Sequence, residues 1–417
     1  MTDHFDARET RDPAQRESDL FGRLPDFLTK AAAAAPGLAR RLAGIDLAAI
    51  SDRSALGALP VLRKADLMEA QRAAPPFGGF ADPAALAGSR IFQSPGPVFE
   101  PQPPGPDPWN AARALFAAGA RRADTVHNAF SYHMTPGGFV LDEGARALGC
   151  LVFPAGTASA DSQVEAAQAL RPTVFCGTPD HLKVILDRAA ELGRPLGCFR
   201  IGLVSGGALF PTLRAEYGQA GIRVLQCYAT AELGVVAYET AGEDGEAHPG
   251  MVLNEDLIVE IVRPGSGDPV PDGEVGEVVV TAFNPAYPLV RLATGDLSAV
   301  LPGLSPCGRT NRRIAGWMGR ADQRTKVRGM FVDPAQLAEL RRRHPGIARL
   351  RLVVGRADDR DAMTLKVEPA AGAALDAVGL ATALREATGL GGSVEIVPAG
   401  SLPNDGKAIA DERDYSR

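Results

Sequence analysis

The chain is poor in everything that would tie it to a disulfide framework, a membrane or a nucleic acid. It has five cysteines among 417 residues, an odd number without paired spacing, which argues against a disulfide scaffold and for a reducing compartment. No uninterrupted apolar run reaches the roughly 18 residues of a membrane span, and the N-terminal "MTDHFDARETRDPAQRESDLF" has no apolar core of signal-peptide length. A net charge of −6 leaves no basic footprint for nucleic acid, because phosphate neutralisation needs clustered Lys and Arg. The run Arg341-Arg342-Arg343 is short and reads as a solvated helix face. These absences imply a cytoplasmic protein with neither membrane nor nucleic-acid partners. Glycine is scarce at one telling place: "RIFQSPGPVFEP", Arg90 to Pro101, contains a single one.

What is present is an α/β pattern on a chain too long for one core. With 417 residues, 45% of them hydrophobic, at least two domains are expected. From about Pro108 to Cys227 strand-like segments such as "TVFCGTP" and "RIGLVSGG" alternate with helical ones such as "DHLKVILDRAAELG", which implies crossover units and a mainly parallel sheet. Asp107-Pro108 reads as the start of the first of these helices, with Asp as N-cap. The "PQPPGPDP" before it reads as a stiff surface connection. In such sheets ligands bind beyond the carboxyl ends of the strands, so "GTPD", "SGGALFP" and "YATAE" are where chemistry is expected. After Ala241 the chain turns β-rich, with turn chemistry such as "PDGE" between strands, and an antiparallel or barrel-like subdomain is expected. From about Asp322 a compact α+β unit follows, and "GRADQRTKVRG" reads as the hinge before it.

The motifs "YATAELG", "YPLVRLATGDLSAVLPG", "SPCGRTNRRIAGWMGRADQRTKVRGMFVDPAQL" and "LPNDGKA", in that order and spacing, resemble the phenylacetate-CoA ligase branch of the AMP-forming, adenylate-forming ligases. The likeness extends more loosely from about Leu59 over nearly all the chain. It implies a large adenylate-forming domain over residues 1–320 and a small, mobile lid domain over 321–417. It also implies activation of an aryl or acyl carboxylic acid with ATP and Mg²⁺, transfer of the acyl group to coenzyme A, and a homodimer.

Adenylation needs a slot for adenine, an acidic group for Mg²⁺, a carboxylate for the ribose hydroxyls and cations for the developing phosphate charge. In "YATAE", Tyr228 follows a buried strand and is placed to stack on adenine, with Ala229 and Thr230 beside it; Glu232 is expected one helical turn on, facing the metal. By themselves these residues equally fit a tyrosine closing a strand and a solvent-facing glutamate. Asp296, in "TGD", matches the family's ribose carboxylate, although an isolated Asp there also suits a turn cap. By resemblance Arg320 reaches the ribose or phosphate, and Lys407 in "NDGKA" bridges the acid and the α-phosphate. The same resemblance implies that Lys326 packs near the thioester-forming tunnel and that Asp322 is the pivot between half-reactions. Taken alone, a tail lysine such as Lys407 reads as solvated. Tyr132 and His133, in "NAFSYHMTPGG", match the segment lining the acid pocket; a core histidine is the other reading of His133.

Three departures from the family stand out. Where relatives carry a Ser/Thr/Gly-rich loop whose backbone N–H groups wrap the β- and γ-phosphates, this chain has Gln93-Ser94-Pro95-Gly96-Pro97. Two prolines remove two donors and only Ser94 offers a hydroxyl, so pyrophosphate would fall to Ser94 with Arg90. In the adenine loop the family's frequent Glu is missing from Gly206-Gly207-Ala208, leaving the contact to backbone. Finally, His248 and Cys307 stand with Thr240 and Ser305 where some relatives could hold zinc, and two ligands do not close a tetrahedral site; no structural zinc is expected. The missing loop leaves a second class of reading open, a nucleotide-binding sensor or partner subunit that has lost the ligase reaction.

Overall fold

Residues Val174–Gly177 are buried at every position, and they show how the alternating region is built. Val174 and Cys176 face one apolar cluster and Phe175 the opposite one, as the two-residue period of a strand requires. Both faces are covered by helices, which is why such strands carry no polar alternation. The computed structural model describes residues 4–262, 267–321, 324–357, 360–403 and 408–413, and its packing divides the chain into two units, Met1–Gly319 and Arg320–Arg417.

The large unit is organised around a nine-stranded sheet. Its order is Val300–Leu301, Arg313–Ile314, Met251–Leu253, Gly234–Tyr238, Arg223–Thr230, Ile201–Val204, Val174–Gly177, Thr125–Asn128 and Leu151–Phe153. The last five of these run parallel, and the first four antiparallel. The sheet is therefore mixed, because the chain reverses at Thr230 through a tight hairpin rather than a helical crossover. Helices Ala111–Ala118 and Gly137–Leu148 pack on one face of the parallel half, and Ala160–Leu170, Pro179–Glu191 and Pro211–Gln219 on the other.

The first of these helices begins three residues later than Pro108, at Ala111. Asp107 still satisfies its free amides, accepting from the N–H of Ala111 at 2.8 Å and of Ala112 at 3.0 Å. The β-rich region is a three-stranded antiparallel sheet, Leu257–Val262, Gly276–Ala282 and Leu292–Ser298. It shares a core with helix Pro13–Ala34 through Leu20, Leu24 and Leu28, spaced one helical turn apart.

The small unit has a hairpin, Thr325–Val327 with Met330–Val332, and a four-stranded sheet ordered Ser393–Ile396, Arg360–Pro369, Ile347–Ala357 and Ile409–Asp411. Helices Pro334–Arg343 and Ala377–Thr388 close its own core through Leu337, Leu340, Leu380 and Leu384. Among the described residues, no helix is long and apolar enough to cross a membrane.

Candidate active site

The stretch with one glycine is a β-hairpin. Ile91–Ser94 pairs with Val98–Pro101 in a register that puts Ser94 opposite Val98, so Pro95-Gly96-Pro97 alone makes the turn. Two of those three residues have no N–H, and no backbone cradle is built there. Ser94 is not turned toward a phosphate: its buried hydroxyl donates to Glu100 Oε1 at 2.5 Å. Arg90 is committed elsewhere as well, to Gln102 at 2.6 Å, to Glu143 at 3.3 Å and over the Phe139 ring at 4.7 Å. The expected Ser94 and Arg90 pair is thus not assembled.

Glu232 sits on no helical turn. Strand Arg223–Thr230 runs through Tyr228 and folds back so that Thr230 faces Gly234, and Glu232 occupies the loop between them. The reversal depends on Gly234, whose φ of +71° is left-handed and whose added Cβ would lie 2.5 Å from the Trp109 backbone carbonyl oxygen. In this loop the Glu232 side chain is 6% exposed, and its Oε1 lies 2.6 Å from Lys64 Nζ. Burial pushes its carboxyl up, but the charge and hydrogen bond of Lys64 win and hold it below its ordinary value. Lys64 Nζ also donates to Ser94 Oγ at 3.4 Å, which links Glu232 to Glu100. Glu100 goes the opposite way: burial first, then the charge of Glu232, raise its pKa to about 8.

A hard divalent cation takes oxygen ligands, and Mg²⁺ is held by one or two carboxylates together with substrate phosphates. Glu232 and Glu100 supply such oxygens, and Glu100 Oε2 is buried with no hydrogen-bond partner among the described residues. The donor set present therefore fits Mg²⁺.

The ribose carboxylate of the sequence reading has two fixed donors. After Gly295, at φ +74°, Asp296 accepts from the Tyr228 hydroxyl at 2.8 Å and from Trp317 Nε1–H at 3.0 Å. Its own N–H donates to Thr294 Oγ1 at 3.2 Å. An ionised carboxylate is an acceptor-only group with two oxygens, the chemistry that pairs with sugar hydroxyls. Tyr228 thus anchors Asp296 through its hydroxyl. Trp317 went unread in the sequence; its signal was an indole donor in "GWMGR", close after the ribose motif.

The remaining loops follow the strand ends. Gly206 has φ +74° and is exposed with Gly207, while Ser205 beneath them donates to the Cys227 carbonyl at 2.8 Å. Thr230 Oγ1 accepts from Leu233 N–H at 3.2 Å, and Ala229 precedes it in the strand. Tyr132 donates to Asp142 Oδ2 at 2.9 Å and accepts from Asn128 Nδ2 at 2.7 Å; burial raises the pKa of both Tyr132 and Asp142. His133 is exposed and so is not a core histidine.

With this geometry in place, similarity to known proteins can be weighed. Residues 132–284 match the model of the AMP-binding enzyme family. The phenylacetate-coenzyme A ligase of Aromatoleum evansii is 32% identical over 78% of this chain and 73% of its own length. That of Escherichia coli K12 is 32% identical over 78% and 76%. The chain belongs to the phenylacetate-coenzyme A ligase family. This is a family of AMP-forming, adenylate-forming acid–thiol ligases. Among solved structures, 2-hydroxyisobutyryl-CoA ligase in complex with 2-HIB-AMP and CoA superposes with a TM-score of 0.81 and 26% identity, over 98% of this chain and 92% of that one.

In the small unit, Arg320 and Lys326 both lie against the Phe331 ring, 5.6 and 5.7 Å from its centroid; Lys407 and Asp322 lie outside the described residues. In the large unit, Thr240 Oγ1 is 3.1 Å from His248 Nδ1, and Ser305 Oγ is 3.0 Å from Cys307 Sγ. Burial raises the Cys307 thiol, but donors from Ser305, Thr240 and Arg309 bring it below its ordinary value. The four side chains satisfy one another by hydrogen bonds, and among the described residues no group of three His, Cys, Asp or Glu gathers as a metal centre.

Proposed function

We propose that the chain activates an aryl or acyl carboxylic acid with ATP and Mg²⁺ and passes the acyl group to coenzyme A. In the first half-reaction the acid's carboxylate oxygen attacks the α-phosphorus of ATP, and the bond to the β-phosphate breaks to release pyrophosphate. In the second the CoA thiolate attacks the acyl carbon, and AMP leaves. Asp296, held by Tyr228 and Trp317, accepts the ribose hydroxyls. Backbone groups of Gly206, Gly207, Ala208, Ala229 and Thr230 border the adenine, with Tyr132 and His133 along the acid. Mg²⁺, when bound at Glu232, neutralises charge on the phosphates. By the family's pattern Lys407 bridges acid and α-phosphate, Arg320 reaches the nucleotide, Lys326 serves the thioester step and Asp322 is the pivot. Ser94 acts through Glu100 rather than on phosphate. A cytoplasmic homodimer completes the reading.

The observation that carries it is Asp296, a carboxylate fixed by two donors beside the strand that leads to Glu232. The test is carboxylate-dependent exchange of labelled pyrophosphate into ATP over a panel of aryl and acyl acids. Exchange with one acid class, lost in Lys407→Ala, supports the reading; no exchange with any acid overturns it.

A further inference from the structure

A base that is met by backbone rather than by a side chain needs that backbone held in place. Gly206-Gly207 cannot hold itself, since glycine restricts the chain least of all residues. Both ends of this loop are instead tied to two adjacent residues of strand Arg223–Thr230. At one end the Ser205 hydroxyl donates to the Cys227 carbonyl at 2.8 Å. At the other the N–H of Leu209 donates to Gln226 Oε1 at 3.1 Å. The next residue of the strand is Tyr228, whose hydroxyl holds Asp296. The Gln226 carboxamide is oriented from behind. Its Nε2 donates to Glu239 Oε1 at 3.2 Å, and Glu239 Oε2 accepts from the Gln226 N–H at 2.7 Å. Arg214, in the first turn of helix Pro211–Gln219, spans both oxygens of the same carboxylate at 2.8 and 2.9 Å and reaches the Val224 carbonyl at 2.7 Å. With Nε2 on a carboxylate, Oε1 is the end of the amide left to face Leu209. Turning the amide over would set oxygen against carboxylate and NH₂ against N–H. Strand, helix and loop are thereby joined at Glu239, a residue 9% exposed.

We propose that Gln226, set by Glu239 and Arg214, is a positioning residue that makes the Gly206-Gly207-Ala208 loop selective for a 6-amino purine over a 6-oxo purine. The proposal rests on the reading that this loop borders the base. Adenine donates from its 6-amino group, whereas a 6-oxo purine presents an acceptor at the same place. A peptide carbonyl fixed opposite that place pairs with the first and is left facing an acceptor by the second. A loop free to turn its peptides offers an N–H to the 6-oxo group instead, and its discrimination falls. A tie that served stability alone would weaken both nucleotides alike.

The test is the affinity of the full chain for AMP and for IMP, which differ at the 6-position of the purine, by titration calorimetry. Circular dichroism verifies the fold of each variant. Wild type is expected to prefer AMP by about tenfold or more. Gln226→Met, close in size and without an amide, is expected to cut that preference about two- to tenfold, the contribution of one hydrogen bond. Gln226→Glu sets two carboxylates face to face and is expected to cut it likewise. Adding Glu239→Gln to Gln226→Glu reverses donor and acceptor across the 3.2 Å contact and keeps an acceptor for Leu209, so the preference is expected to return. A preference unchanged in Gln226→Met and Gln226→Glu, or no recovery in the exchanged pair, overturns the proposal. If Gln226→Met does not fold, Gln226→Glu with and without Glu239→Gln decides. Equal affinities for AMP and IMP in wild type overturn it as well and leave the loop beside the base, whereas no binding of either nucleotide by wild type overturns the adenine reading and the proposal with it.

Discussion

Asp296 and Glu100 are two carboxylates with opposite surroundings, and each yields a prediction. Asp296 accepts from an O–H and an indole N–H, and Asp296→Asn turns one of its acceptors into a donor that faces a donor. Loss of a hydrogen bond to a charged group costs about 1.5–3 kcal/mol, so AMP affinity measured by titration calorimetry is expected to fall about 10- to 100-fold. Glu100 has its pKa raised from 4.5 to about 8. Across that interval the folded chain keeps a proton that the unfolded chain has lost, so stability falls as pH rises from 4.5 to about 8. In metal-free buffer the melting temperature of Glu100→Gln is expected to fall less than that of wild type between about pH 6 and about pH 9. Equal slopes in the two proteins would show that Glu100 is already ionised in the fold.

At the scale of elements, the site depends on two hairpins. The reversal at Thr230 carries Glu232, and it needs Gly234 both for its left-handed φ of +71° and for the closeness of Trp109. The φ alone costs an L-residue about 1–2 kcal/mol, and the contact with the Trp109 backbone adds to it. Gly234→Ala is therefore expected to lower the unfolding free energy read from a urea titration by about 1–2 kcal/mol or more and to slow pyrophosphate exchange through displacement of Glu232. This reversal was not legible in "YATAELG", because nothing local distinguishes a tight antiparallel turn from the helical turn expected there. The helices and strands between Pro108 and Cys227 were legible, because each carries its own apolar period. Even there, Asp107 was read correctly as the group that meets free helical amides and incorrectly as adjacent to the helix.

At the scale of the whole molecule, the N-terminal segment is part of the large unit's structure. Glu9 is fully buried, and it accepts from Tyr238 at 2.6 Å, from Arg309 Nε at 2.9 Å and from Phe5 N–H at 2.6 Å. Glu9→Ala takes the carboxylate from Arg309, a guanidinium only 3% exposed. Removing one partner of a buried ion pair costs about 3–5 kcal/mol, and the unfolding midpoint of the large unit is expected to drop accordingly in denaturant titrations. A residue at position 9 gives no sequence sign of this, since the side chains that meet it, Tyr238 and Arg309, are 229 and 300 positions away.

The sequence by itself determined the α/β alternation, the β-rich region, the α+β unit, an aspartate placed directly after Gly295 and the lack of N–H groups at Pro95 and Pro97. All of these are written in neighbouring residues: a two- or 3.6-residue apolar period, a carboxylate after a glycine, prolines without N–H groups. Only the tertiary structure decided that Tyr228 and Trp317 converge on Asp296, that Ser94 turns inward, and that Lys64, Glu100 and Glu232 share one buried cluster. The charge state and partners of a carboxylate are set by burial and by whatever lies opposite it, and residues 64, 100 and 232 become neighbours only when the large unit folds.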